Sequence, residues 1–303
     1  MRRAERSGAG RRPPRHAGGT VRLSLNTATV KKASLETAAR LCAENGISGI
    51  GPWRDVVEAA GGAQAARKIT DAYALSVTTL CRGGFFTTGF GKGATPEARA
   101  AALADNRSAI DEAATLGTSE LVLVVGGLPD GSKDLPAARQ AVADALAELV
   151  PYATDRGVRL AIEPLHPMFC ADRAVVSTLG QALDLAAPFA PDEVGVCVDT
   201  YHIWWDPDLY AQIERAGREG RISSYQVCDW VLPLAADALL SRGHVGDGHI
   251  DFAPITDAVR AAGYTGHVEV EIFNQAIWDT DPAITVATMV DRHRRYINPQ
   301  GPL

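Results

Sequence analysis

One pattern recurs eight times along this chain. A short apolar, β-rich run ends in polar residues and an Ala/Leu-rich amphipathic stretch follows. The runs lie at 21–26 (VRLSLN), 47–53 (ISGIGPW), 75–81 (LSVTTLC), 120–126 (ELVLVVG), 159–164 (RLAIEP), 194–200 (VGVCVDT), 222–228 (ISSYQVC) and 267–273 (HVEVEIF). Their starts are 26 to 45 residues apart, the length of a strand together with its helix. Apolar runs of this kind suit strands buried on both faces of a parallel sheet. The stretches between them carry helix punctuation. Ser34-Leu-Glu opens a helix that Gly46 closes, Thr95-Pro96-Glu97 opens one that Gly117 stops, another runs from about Pro136 to Gly157, and Asp281-Pro282 starts a last one ending near Arg295. No linker rich in Pro, Gly or Ser divides the repeats, so they read as one domain. Eight units in about 280 residues predict an α/β fold, a single (β/α)8 TIM barrel over 21–297. A doubly wound open sheet would call for a glycine-rich phosphate loop after the first strand, and none is there. The same lack argues against hydride transfer from a dinucleotide.

Charge and cysteine usage narrow the classes further. The net charge of −6 is unevenly placed. Residues 1–20 hold six arginines and one acid, so they carry +5 and the rest of the chain −11. A body that acidic is a poor surface for nucleic acid, which needs clustered Lys and Arg. The leader, 1–20, is expected to be a disordered basic tail, and 298–303 (NPQGPL) a loose C-terminal tail. The leader lacks the apolar stretch of a secretory signal, and no apolar run is long enough for a membrane span. Five cysteines at 42, 81, 170, 197 and 228 never come closer than 27 residues. That spacing speaks against a structural zinc site, and the apolar settings suit reduced thiols and a cytoplasmic location.

In a barrel of this type the active site is built at the C-terminal ends of the strands. Four oxygen-bearing side chains stand there on four different strands: Glu163 after RLAI, Asp199 after VGVCV, Gln226 in SSYQVCDW and Glu271 in HVEVEIFN. A carboxylate in a strand core is costly unless paired or ligated. Each could pair with a nearby Arg or His. Converging together, they would bind a divalent cation through hard oxygen ligands, favouring Mn2+, then Mg2+ or Co2+, over zinc thiolate chemistry. His166 and His202 follow Glu163 and Asp199 by three residues and are expected to bind a hydroxyl or move protons. Trp53 and Arg54, Arg82 in RGGFF, and Trp204 supply aromatic walls and cationic anchors at other strand ends. His244 opens a turn-rich loop, HVGDGHID, placed either to cover the pocket or to connect two units.

The segments IEPLHP (162–167), VDTYHIWW (198–205), YQVCDW (225–230), GDGHIDF (246–252) and VEVEIFN (268–274), in this order, resemble the sugar phosphate isomerase/epimerase superfamily, the xylose-isomerase-like barrels. The resemblance spans about residues 21–297. It implies that Glu163, Asp199 and Glu271 ligate the metal, with Gln226 at a fourth position that is His or Gln in the family. GDGHID departs from the Gly-Glu-Gly of many relatives. A divalent ion chelated by a hydroxyl and an adjacent carbonyl acidifies the C–H between them. The resemblance implies that Glu163 and Glu271 then serve as the acid/base pair, with His202 and His166 placing hydroxyls and Arg82 holding an oxyanion or carboxylate. The expected activity is isomerisation or epimerisation of a sugar, keto-sugar or inositol. Elimination of a β-substituent by a lyase stands second, and a non-catalytic sugar-binding or partner subunit third. The absence of an obvious Lys/Arg cluster favours an unphosphorylated sugar or polyol substrate. The family also implies a homo-oligomer, or a hetero-oligomer with a small partner subunit.

Overall fold

The computed structural model describes residues 22–299. The basic leader expected over 1–20, and residues 300–303 of the expected tail, lie outside the described residues. Strands β1 (Arg22–Asn26), β2 (Gly49–Gly51), β3 (Ser76–Val77), β4 (Leu80–Gly84), β5 (Glu120–Val124), β6 (Arg159–Ile162), β7 (Val194–Asp199) and β8 (Ile222–Val227) follow the repeats. A short ribbon, β9 (Asp229–Trp230) with β10 (Arg242–Gly243), precedes the last strand, β11 (His267–Val270). The order in the main sheet is β3-β2-β1-β11-β8-β7-β6-β5-β4, with every pairing parallel. Its two ends, β3 and β4, are successive parts of one segment parted by Thr78 and Thr79. Along that segment the N–H of Thr78 donates to Ile50 O (2.9 Å) and that of Cys81 to Pro52 O (3.1 Å), while β4 pairs with β5. The segment therefore joins β2 to β5, and the eight sequence repeats are the eight staves of a TIM barrel.

Helices α1 (Leu35–Glu44), α2 (Arg54–Ala59), α3 (Ala63–Ala72), α4 (Thr87–Phe90), α5 (Pro96–Leu116), α6 (Leu135–Thr154), α7 (Leu179–Ala186), α8 (Thr200–Ile203), α9 (Leu209–Arg218), α10 (Phe252–Ala261), α11 (Gln275–Trp278) and α12 (Pro282–Arg292) complete the chain. The expected caps are in place. Ser34 and Thr95 accept the N–H of Thr37 and Ala98, and Gly117 ends α5 at φ +84°, a conformation open to glycine at little cost. The last helical run covers Arg295 as expected, but its final turn is not α-helical. From His293 to Ile297 the chain widens into a π turn, closed by the N–H of Asn298 on His293 O (2.9 Å). Asn298 is buried, and Arg260 donates to its side chain, so the chain is anchored one residue into the expected tail.

The strand faces separate two environments. Leu23, Leu25, Leu121, Leu123, Val196, Val198, Val268 and Val270 are buried in the core cluster that includes the ring of helices. The alternate positions, Ser24, Asn26, Gln226, Glu269 and Glu271, point inward. The strands are buried on both faces as expected, and the inner face is polar on β1, β8 and β11. Gly51 belongs to this packing, since a Cβ there would lie 2.6 Å from the carboxyl group of Glu269.

Candidate active site

The C-terminal mouth of the barrel gathers carboxylates because consecutive strands end on them. Glu163 follows β6 directly, and its N–H donates to Leu123 O (3.1 Å) on β5. Asp199 ends β7; its Oδ1 accepts the N–H of Tyr201 (2.9 Å), which starts α8 and turns His202 back toward the mouth. Glu163, Asp199 and His202 each offer a ligand atom within 4.8 Å of the others. His202 Nε2 stands 3.7 Å from Asp199 Oδ2 and 4.0 Å from Glu163 Oε1. Glu271 follows β11; its Oε1 accepts Trp53 Nε1–H (3.1 Å) and its Oε2 accepts Arg242 Nη1–H (2.9 Å). Arg242 also donates to Asp199 Oδ2 (3.3 Å) and so links the two carboxylates.

These groups are at most 5% exposed, and burial sets their ionisation. Burial, then repulsion from Glu271 and Asp199, holds Glu163 well above the ordinary carboxylate range. Burial raises Asp199 and Glu271 as well, against the opposing pull of Arg242. His202 is driven well below its usual value by burial and then by Arg242, so the ring is neutral. Both ring nitrogens meet donors, Nδ1 the backbone N–H of His166 (3.2 Å) and Nε2 the guanidinium of Arg242 (3.0 Å), and a neutral ring accepts at only one of them.

Two of the three carboxylates here share one buried guanidinium, and Glu163 Oε1 is buried with no hydrogen-bond partner among the described residues. Hard oxygen donors in excess of local positive charge fit a divalent cation. Of the four expected ligands, Glu163 and Asp199 meet with His202, and Glu271 joins them through Arg242. Gln226 lies beside Asp199 in register, but its amide is engaged elsewhere: Nε2 donates to Glu269 Oε1 (3.0 Å) and Oε1 accepts from Cys197 Sγ (3.3 Å).

Above the carboxylates opens a narrow cleft of about 40 Å³ walled by Trp53, Arg82, Phe85, Arg173 and Phe273. Arg82 occupies the register shift between Cys81 and Gly83, where β4 bulges against β5. Its guanidinium lies 3.9 Å from the Phe85 ring and makes no hydrogen bond or ion pair among the described residues. Burial works against its charge. Arg173 is close behind, with a buried, unpartnered Nε and only its neighbour Asp172 at 3.6 Å.

Other expected residues do not reach this cleft. Arg54 is held by Glu112 (2.8 and 2.9 Å) and Asp105 (2.8 Å) on α5, so its guanidinium is spent on helix packing. His244 faces a separate small cavity among Val227, Val270, Met289 and His293. Trp204 packs on Trp230, ring centroids 5.7 Å apart. His166 stands behind His202; its ring stacks on Trp230 at 4.9 Å and its Nδ1 accepts the N–H of Met168 (3.2 Å).

A sequence profile of the xylose isomerase-like TIM barrel matches residues 39–292. The chain belongs to this family. Among solved structures, protein SMc04130 from Sinorhizobium meliloti 1021 is 47% identical, with a TM-score of 0.85 over 90% of this chain and 98% of that one. An IolI protein with a bound zinc atom shares the fold at 18% identity, with a TM-score of 0.79 over 93% of this chain and 100% of its own. A 3-dehydroshikimate dehydratase of Pseudomonas aeruginosa is 32% identical over 164 residues, 52% of this chain. The match spans 24%, about a quarter, of the length of that curated relative.

For a xylose isomerase-like barrel the sequence reading missed three residues. Arg173 and Arg242 face the cleft, and Glu269 lies buried beneath it. Arg242 arrives on β10, and the loop behind it is tied down by Asp229, whose carboxylate accepts the N–H groups of Gly246 (2.9 Å), Gly248 (2.8 Å) and Ile250 (3.0 Å). A Cβ at Gly248 would meet Trp230 O at 2.1 Å. The GDGHID motif therefore wraps a buried aspartate, and an acid between Cys228 and Trp230 was the available signal. Among the described residues no helix is long and apolar enough to cross a membrane.

Proposed function

We propose that this protein is a divalent-metal-dependent lyase that removes water from a hydroxylated cyclic keto acid. The observation that carries this reading is the pair Arg82 and Arg173, two cations without a hydrogen-bonded acid that line the same cleft as the metal-type carboxylates. A neutral sugar gives them no counter-ion, whereas a substrate carboxylate does, through charge-assisted hydrogen bonds. The likeness to a 3-dehydroshikimate dehydratase supports the same class and moves elimination ahead of isomerisation, the first expectation from sequence.

Glu163 and Asp199 would hold the ion, with Glu271 and Gln226 completing the set that the family resemblance implies; Mn2+ is the metal we favour, with Mg2+ or Co2+ next. When bound, the ion supplies Lewis acidity that weakens the C–H bond beside the substrate carbonyl. Arg82 and Arg173 fix the carboxylate end, and Trp53 and Phe273, packed edge to face, exclude water beside Glu271. Glu163 and Glu271, made more basic by burial, are the groups that take the proton. The member of this pair that is protonated, a state favoured by burial, gives its proton to the departing hydroxyl. One C–H and one C–O bond break, a C=C bond forms, and water leaves.

Mn-loaded protein incubated with 3-dehydroshikimate should release water and yield an aromatic dihydroxybenzoate, seen by ultraviolet absorption and proton NMR. Exhaustive chelation should stop the reaction and added Mn2+ restore it. No water loss from the acid, together with deuterium incorporation into neutral ketoses in D2O, would replace this reading with isomerisation.

A further inference from the structure

One layer below the mouth, Glu269 is buried with no cation paired to it among the described residues. Four neutral groups surround it instead. Asn26 Nδ2 (2.8 Å), Gln226 Nε2 (3.0 Å) and Thr79 Oγ1 (2.9 Å) reach Oε1, and Thr78 Oγ1 (2.5 Å) reaches Oε2. A buried anion is an expensive way to fill a barrel, and the chain has also given up a side chain at position 51 to seat it.

We infer that Glu269 is a positioning residue: by accepting the N–H of Gln226 it decides which end of that amide faces β7 and Asp199. The two ends of a glutamine amide are nearly the same in shape, so packing alone does not choose between them. Glu269 Oε1 accepts from Asn26 and Thr79 as well, so that oxygen is an acceptor and the choice is forced. The reversed amide would set Gln226 Oε1 against Glu269 Oε1 at about the present 3.0 Å, acceptor to acceptor. In the orientation observed, Nε2 faces β11 and Oε1 faces Cys197 on β7, the strand that ends on Asp199. The oxygen is thereby kept toward β7 and away from β11. The same arrangement explains why residue 226 is an amide here, since a glutamate would oppose Glu269. This inference rests on the metal reading proposed above.

Calorimetric titration of chelator-stripped protein with Mn2+ tests it on four proteins: wild type, Glu269→Gln, Gln226→Glu and the swap carrying both. Metal-free melting curves report whether each is folded. Removing a group that orients a metal ligand typically weakens binding 10- to 100-fold, and Glu269→Gln should fall in that range, because a second amide lets residue 226 pair in either orientation. Gln226→Glu should also bind more weakly than wild type. The swap should recover to within a few-fold of wild type, since the new amide at 269 can donate to the new carboxylate. If Glu269 acted by charge alone, Gln226→Glu would bind more tightly than wild type; that result, an unchanged Glu269→Gln, or a swap no better than the single variants overturns the inference. Wild type that takes up no Mn2+ overturns it together with the metal reading, whereas wild-type uptake with an unchanged Glu269→Gln overturns the positioning alone.

Discussion

Glu269 and Glu271 stand two residues apart on one face of the same segment, and their surroundings differ in kind. Glu269 is met on every side by amide and hydroxyl donors. Glu271 shares a guanidinium with Asp199 and looks, with Glu163, into the cleft. The lower layer is closed and fully hydrogen-bonded. The upper layer is short of donors, down to an unpartnered oxygen on Glu163. A folded protein keeps few such groups, and the deficit at the mouth is what the proposed metal and substrate would make good.

The sharpest way to break this contrast is to neutralise one member of the upper layer. Glu271→Gln should lower turnover by about 10²–10⁴-fold, the range for loss of a general acid or base. Its metal-free melting temperature should not fall, because burial already works against the charge of Glu271. Retained activity in steady-state assays would remove this residue from the chemistry.

Arg82→Ala probes the wall of the cleft. It should raise KM for an acidic substrate by roughly 10- to 100-fold, in line with about 1.5–3 kcal/mol for a hydrogen bond to a charged group. A neutral ketose tested alongside should show no such change. The lower layer should answer in stability instead. Gly51→Ala forces a methyl group into the Glu269 carboxyl and should cost about 1–3 kcal/mol in urea denaturation.

The smallest effect is in pH. Glu163, Asp199 and Glu271 have raised values when folded, so the folded state holds extra protons above the ordinary carboxylate range and loses stability as pH climbs through the raised values. His202, lowered on folding, acts in the opposite sense, but only as pH falls through its unfolded value near 6.5. Between about pH 6.5 and 8 the carboxylates act without it. The metal-free melting temperature should therefore drop over that window, and Mn2+ should flatten the slope. A metal-free profile that rises with pH there would contradict the ionisation described for the upper layer.

The barrel itself was legible because its signal is local: eight apolar runs, each closed by a helix with its own cap. Glu163, Asp199, Glu271 and His202 were legible for a related reason, as acids and a histidine at or just past the ends of apolar strands. What escaped depends on partners far apart in the chain. Arg54 looks like a pocket cation until Asp105 and Glu112 are seen beside it, 51 and 58 residues on. Arg242 meets Asp199 and Glu271 from 43 and 29 residues away. The polar layer inside the barrel is carried by β1, β8 and β11, which alternate, whereas runs such as ELVLV and VGVCV are apolar at both alternations.

The account stands most directly on one measurement, the melting temperature of chelator-stripped protein with and without Mn2+, compared between wild type and Asp199→Asn. At a metal concentration near 100 times the dissociation constant, binding adds about 2.7 kcal/mol, which for a barrel of this size raises the melting temperature by roughly 5 °C or more. Wild type should show that rise and Asp199→Asn should not. An equal rise in both proteins, or none in wild type, would contradict a metal centre at the mouth of this barrel.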